Sequence, residues 1–301
     1  MSIKALDAVQ THHDVWERPV ASLREFAPAH DEGVSKYAVD VPGNGVLRAL
    51  LVNKASDVLI VAFHGATSRA RKRLPRFEWF RTLRSENVSS LYFSDPLLET
   101  DSTLELAWFT GRYDFDLHVE LAQLAEVAAR AVGARRIIFL GSSGGGFAAM
   151  QIANHVEGSL ALPFSPQTSL SNYLVKGSGY GAQRKFLKLV MPELAPDVPL
   201  EKLDPGVDWA EPILGRLSAV ARYKTAVRNR VLYVQNSNDI PHVEQHREPF
   251  REAVMNSPNR SRVRFEEFAG PEGHNPPGQQ EFKHYLHMAI NWQSESLGAI
   301  R

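Results

Sequence analysis

Residues 135–153 read RRIIFLGSSGGGFAAMQIA. An apolar run, Arg136 to Leu140, passes without a spacer into Gly141-Ser142-Ser143-Gly144-Gly145 and then into Phe147 to His155, which reads as a helix. The first part has the continuity of a strand covered on both faces. The glycine-rich part matches G-x-S-x-G in the strand–turn–helix setting that the motif requires. A serine hydroxyl is a poor nucleophile until a tight turn projects it toward a base. The flanking glycines permit such a turn and let the helix approach the strand closely. The helix start then turns free amides and the positive end of its dipole toward a developing oxyanion. A flexible linker does not fit between RIIFL and FAAMQIA. A phosphate loop would need Gly-Lys-Ser/Thr or G-x-G-x-x-G, and neither is present, so an anion-binding loop of a Rossmann-like fold is the lesser alternative.

Working outward, Ser35 to Val41 and Val46 to Val52 alternate as strands around an Asn-Gly hairpin signal at Asn44-Gly45. Asp57 to Phe63, Val88 to Phe93, Ser159 to Phe164, Arg230 to Val234 and Val263 to Phe268 read as further strands. Phe115 to Val132 repeats Leu117, Leu121, Leu124, Ala128 and Ala131 at helical spacing. Val243 to Met255 and Gln279 to Trp292 read as helices after the last two strands. Strand, helix and strand in succession predict right-handed crossovers and an α/β fold with a mostly parallel twisted sheet and helices on both faces. Residues 1–34 form an N-terminal extension that carries no nameable chemistry. Residues 35–301 form one domain, and its Pro-, Gly- and Tyr-rich insertion, about 165–224, is expected to lie as a lid over the sheet's C-terminal edge.

The 301 residues suffice for a large core, and 44% hydrophobic with 23% charged residues is an ordinary globular composition. Thirty-four basic residues balance 34 acidic ones, which removes the global field expected of a nucleic-acid binder. With no cysteine, disulfides, thiolate metal sites and a cysteine nucleophile are excluded. The first twenty residues lack the apolar core of a secretory signal, and no run reaches the ~18 apolar residues of a membrane span. A cytoplasmic enzyme without a cofactor is therefore expected, acting on a small-molecule or glycan ester and binding neither nucleic acid nor membrane.

Strand, GSSGG, helix and the downstream order together resemble the α/β-hydrolase superfamily over roughly residues 35–295. The resemblance implies an acid and then a histidine after later strands. VLYVQNSNDIPHV places Asp239 after one of them, and FEEFAGPEGHNPPG places His274 after the last. The implied triad is Ser143 as nucleophile, His274 as general base and Asp239 as its support. Asp95 in YFSDP also follows a strand and is the rival acid. His64-Gly65-Ala66 after DVLIVAF is similar to the superfamily's oxyanion loop, which implies backbone N–H donors from Ala66, Gly65 and Gly144. His64 itself orients that loop on this reading; with Ser142, Trp108 and His242 it is also a candidate to line the substrate site.

Weaker signals complete the reading. His242 and His246, four apart after Pro241, share one helix face near Asp239. Without Glu after the first histidine they lack the metalloprotease signature, so a surface or pocket-lining pair is favoured and no metal is expected. Arg69, Arg71, Lys72, Arg73 and Arg76 could meet an anionic substrate, although a solvated helix start explains them better. Trp108, Phe109, Tyr113, Tyr173 and Tyr180 are candidate pocket aromatics. QNSNDIPHVEQHREPF also resembles a segment of capsule-biosynthesis and accessory-secretion proteins of hydrolase fold. That implies roles for Gln235, Asn236, His242 and His246 in acyl transfer on a glycan. The reaction class expected from all this is a serine esterase or acyltransferase. A non-catalytic scaffold on the same fold is the competing reading.

Overall fold

The computed structural model describes residues 15–173 and 181–298. Among the described residues nine strands form one mixed sheet in the order β1-β2-β3-β5-β4-β6-β7-β8-β9. They are β1 Glu17–Val20, β2 Gly33–Val41, β3 Gly45–Asn53, β4 Val58–Phe63, β5 Ser89–Ser94, β6 Arg136–Ser142, β7 Leu160–Phe164, β8 Arg230–Asn236 and β9 Val263–Phe268. From β5 through β9 every neighbour pair is parallel, while β3 runs antiparallel to both β2 and β5. The hairpin signal at Asn44-Gly45 accordingly closes β2 onto β3, pairing Val41 with Gly45. The fold class is the one expected; β1, a four-residue edge strand parallel to β2, was not anticipated from the extension.

The helices of eight or more residues are α1 Leu117–Val132, α2 Gly144–Ala153, α3 Gly181–Leu189, α4 Glu248–Met255 and α5 Gln279–Gly298. Asp116 caps α1 by accepting the His118 N–H, and Gly133, at φ 74°, closes its other end. Buried strands alternate their side chains between two cores. Phe139, Leu59, Val61 and Phe63 pack with Leu121 and Ala125 of α1 and Ala149 of α2. Ile138, Leu140, Ile60 and Ala62 pack with Phe282, Leu286 and Ala289 of α5. Each such fully buried Leu, Ile or Phe contributes about 1.5–3 kcal/mol of transfer free energy, which fixes the strand register to these faces.

Two helices depart from the sequence reading. α2 begins at Gly144, three residues before the expected Phe147, because the glycines themselves take up helical backbone against β4. The expected helix 243–255 opens with a π-turn, Val243–Arg247, before α4. Pro249 explains it: a proline has no N–H to give the carbonyl four residues back, and its ring crowds that carbonyl.

In the insertion, α3 and short 3₁₀ turns build a third core. Phe186, Leu187, Met191 and Trp209 join Leu97, Leu98, Leu106, Trp108 and Phe147 there. The insertion thus packs on the loop after β5 and on α2, at the end of the sheet where the candidate residues lie.

Candidate active site

Ser143 occupies the turn between β6 and α2 with φ 57° and ψ −122°. Positive φ is costly for a residue with a Cβ, and such strain persists only where the surroundings impose it. Here the Ser143 N–H is held by Phe164 O at 2.9 Å, and its carbonyl accepts from the Phe147 N–H at 3.1 Å. A Cβ on Gly141 would lie 2.2 Å from the Gly145 backbone, and one on Gly145 would lie 2.4 Å from Phe63 O. The glycines of the motif are therefore required by the contact of α2 with β6 and β4. The side chain of Ser143 is nearly enclosed, with the residue 9% exposed.

β8 and β9 are neighbours, so the loops that follow them meet. His274 Nδ1 lies 2.6 Å from Asp239 Oδ2. Asp239 is almost fully buried, whereas His274 is open on one side. Asp95 instead spends its carboxylate on its own loop, accepting from the Leu97 and Phe109 N–H groups at 3.2 and 2.8 Å. It stands beyond β4 on the far side of β6, away from His274.

A second imidazole shares Asp239. His242 Nδ1 lies 3.1 Å from Oδ2 and 3.2 Å from Oδ1. The rings of His242 and His274 stack face to face, centroids 3.8 Å apart and planes 7° off parallel. Burial opposes the ionisation of Asp239, but the hydrogen bonds from His242 and His274 outweigh it and hold its carboxyl well below the usual range. Burial lowers the pKa of His242, against the pull of its bond to Asp239.

Gln167, in the loop after β7, links this pair to the serine. Its Nε2 donates to Ser143 Oγ at 3.0 Å and to His242 Nε2 at 2.9 Å. The indole of Trp108, which can only donate, gives its N–H to Gln167 Oε1 at 3.1 Å and so fixes which way the amide faces. Trp108 and Phe109 sit at φ 52° and 56°. Asp95 holds the Phe109 N–H and His118 Nε2 lies 3.0 Å from Trp108 O, which secures that strained pair. Among the described residues no hydrogen bond joins Ser143 to His274, and none engages His274 Nε2. Sequence reasoning did not single out Gln167, since nothing local marks one glutamine in a loop.

The loop after β4 faces the elbow: a Cβ on Gly65 would come within 3.3 Å of Ser143 Cβ and 3.9 Å of Gly144 N. The Gly65 N–H itself is donated to Glu78 Oε2 at 2.8 Å, which takes it away from any oxyanion. The N–H groups of Ala66 and Gly144 have no acceptor among the described residues. Arg76 clamps this loop from behind, donating to Ala66 O at 2.6 Å and pairing with Glu78 at 2.7 Å. Arg69 donates to Leu98 O at 2.5 Å, and Arg71, Lys72 and Arg73 point to solvent. The basic run is thus divided between loop support and surface.

His64 is 1% exposed, and both ring nitrogens are engaged. Its Nε2 accepts from the Asp95 N–H at 3.0 Å, so Nδ1 carries the proton given to Gly65 O at 2.8 Å. Burial, reinforced by Arg76, pushes its pKa down to about 3. Below pH 6.5 the unfolded chain takes up a proton there that the folded chain refuses, so stability falls with pH. Between pH 6.5 and 5 this amounts to about 2 kcal/mol from His64 alone. Burial likewise lowers His118 and His246, while Asp95, raised to about 6 by burial, offsets part of the loss. Urea denaturation at pH 7 and pH 5 is expected to show net destabilisation at pH 5; equal midpoints would contradict neutral burial of these rings.

Tyr173 extends over His242 and over His246 of the π-turn, its ring 6.0 Å from each. His246 Nδ1 accepts from the Thr168 N–H at 3.3 Å, and Gln235 and Asn236 are buried. Asn236 ties the β9 loop together by donating to Pro271 O and Gly273 O. Ser142 is buried at the end of β6, and Tyr180 lies outside the described residues. A cavity of about 480 Å³ lies nearby, bordered in part by Ser171, Gln183, Asp208, Trp209 and Glu244, but none of Ser143, Asp239 and His274 lines it.

Asp239, His242 and His274 bring three ligand atoms within 4.8 Å of one another. An imidazole binds a metal along a lone pair in its ring plane, and one ion cannot lie in two parallel planes 3.8 Å apart. The residues as arranged fit a hydrogen-bonded carboxylate, not a metal centre.

No protein-family model matches the sequence, and no curated protein does. The structure is similar to the capsule O-acetyltransferase of Neisseria meningitidis serogroup A, with TM-score 0.54 and 14% identity over 87% of this chain and 92% of that one. It is also similar to an S-formylglutathione hydrolase from Agrobacterium tumefaciens, with TM-score 0.56 and 13% identity over 87% and 94%. A glycosylation-associated protein complex from Streptococcus agalactiae matches with TM-score 0.52 and 14% identity over 86% of this chain and 46% of that one. No helix among the described residues is long and apolar enough to cross a membrane. The sheet order, the strand–serine–helix turn and these likenesses together make this an α/β-hydrolase fold.

Proposed function

We propose that the chain is a serine-dependent acyl-transfer enzyme, an ester hydrolase or O-acyltransferase, with Ser143, His274 and Asp239 as its catalytic residues. The observation that carries this reading is the positive-φ Ser143 between β6 and α2, joined through Gln167 and His242 to a histidine–carboxylate pair 2.6 Å apart. In the proposed first step Ser143 Oγ attacks the acyl carbonyl as its proton passes to His274 Nε2. Asp239 stays ionised, keeps the His274 Nδ1–H oriented and stabilises the imidazolium. The Ala66 and Gly144 N–H groups receive the carbonyl oxygen as it gains charge. Collapse of the tetrahedral intermediate expels the leaving alkoxide or thiolate, which takes the proton from His274. Water or a hydroxyl acceptor then releases the acyl group by the same steps in reverse. Catalytic hydrogen bonds are often long in a free enzyme, so the Ser143–His274 bond is expected to form with substrate bound.

One of the structural neighbours is a capsule O-acetyltransferase that was solved as a histidine variant with CoA. That supports including a glycan hydroxyl among the acceptors and an acyl thioester among the donors. The deciding experiment is a panel of short and long acyl esters and acetyl-CoA, with and without sugar acceptors, comparing wild type with His274→Ala. Turnover that falls about 10³-fold or more in the variant is expected. A well-folded wild type inert toward every donor, and toward a fluorophosphonate, would instead favour a non-catalytic scaffold.

A further inference from the structure

Asp239 serves two imidazoles, and only one of them can work as the base. Both Nδ1 atoms approach its carboxylate, so both rings present Nε2 on their other edge. The difference between them is Gln167. Its amide orientation is dictated by the Trp108 indole, so what faces His242 Nε2 is an N–H, and a donor there requires a lone pair on that nitrogen. His242 is thereby the neutral tautomer protonated at Nδ1, its Nε2 already committed. His274 Nε2 has no such donor among the described residues.

We propose that His242 is a positioning residue for acyl transfer, which shares Asp239 with His274 and stacks against it, and that Gln167 holds it neutral so that the Ser143 proton goes to His274. This rests on the acyl-transfer reading above. In the step itself the Oγ–H bond breaks, the Oγ–C bond forms, and the proton stays on His274 until it leaves with the alcohol or thiol. His242 gains and loses nothing. Its π face, 3.8 Å away, lies against the imidazolium while that charge exists. The groups facing the pair are Asp239 from the β8 loop, His246 from the π-turn and Tyr173 from the insertion, with Gln167 between His242 and Ser143. Burial keeps His246 neutral and raises Tyr173, so neither supplies a competing charge.

Two variants pull the pH profile in opposite directions. In His242→Phe the stacked ring remains but Asp239 loses a donor, and its undivided charge holds the His274 proton more tightly. The acid limb of kcat/KM is expected to move to higher pH. kcat should fall about 10- to 100-fold, the range found when a partner orienting a working histidine is removed, while KM changes little. In Gln167→Glu a carboxylate opposes His242 Nε2, so His242 takes up a proton beside His274, and the acid limb moves to lower pH with a second ionisation. Folding of each variant is checked by its unfolding midpoint. Acid limbs that stay in place in both folded variants, with lowered kcat, would reduce His242 to a packing residue and overturn the inference. If instead wild type shows no Ser143-dependent turnover, the acyl-transfer reading fails first, and 2D NMR of the imidazoles decides this one: His242 found protonated at Nε2 near neutral pH would overturn it, and the Nδ1–H tautomer would uphold it.

Discussion

Ser143→Ala is expected to lower acyl-ester turnover by about 10⁴- to 10⁶-fold, the range seen when a serine nucleophile is removed. The substitution deletes the atom proposed to form the acyl-enzyme and leaves its surroundings in place. Alanine meets the same backbone strain at φ 57° as serine does, so the turn itself is not altered. The lost contact is one hydrogen bond, from Gln167 Nε2, and that amide keeps His242 Nε2 as an acceptor. The other N–H of that buried amide loses its acceptor, so stability should fall by about 1–3 kcal/mol. Loss of turnover in a variant that stays folded at the assay temperature separates a chemical from a structural role. Residual turnover above a tenth of wild type would mean that the reaction does not pass through this hydroxyl.

Gly145→Ala is expected to destabilise the protein strongly. Its Cβ would lie 2.4 Å from Phe63 O, 2.8 Å from Phe63 C and 2.9 Å from His64 C. All three are backbone atoms at the end of β4, a strand paired on both sides and packed on both faces. No rotamer change relieves such a contact; either α2 or β4 must move. Overpacking of well-filled cores commonly costs 1–3 kcal/mol, and a backbone clash in the middle of the sheet should cost about 3 kcal/mol or more. The displaced atoms also begin the Gly65-Ala66 loop, so activity should fall with stability. Gly215→Ala is the control: a Cβ there has nothing within 4 Å, and it should be neutral or slightly stabilising in urea. A Gly145→Ala protein as stable as wild type would mean that α2 does not rest on β4 as described.

The sheet was legible because its central strands are continuous apolar runs and because Gly-Ser-Ser-Gly-Gly interrupts one of them abruptly. Asp239 and His274 were legible only through the order of elements; each follows a strand, and so does Asp95. What separates Asp95 from Asp239 is strand order, which places β8 beside β9 and leaves β5 across β6. Topology of that kind is not written in local sequence. β1 escaped notice because four residues, ERPV, with Pro19 among them, carry too short a pattern to register as a strand. Gln167 escaped for another reason: its partners Trp108 and His242 lie 59 and 75 residues away, and only folding makes the three a unit. Gly65 shows the same limit, since the amide suggested by the loop motif is taken by Glu78, thirteen residues on.

Treating the native protein with a fluorophosphonate and mapping the adduct by peptide mass spectrometry tests the account most directly. One equivalent on Ser143, lost when the protein is unfolded beforehand and when His274 is replaced by alanine, is the predicted result. A native protein that stays unlabelled at Ser143, or one labelled there equally well after unfolding, would contradict it.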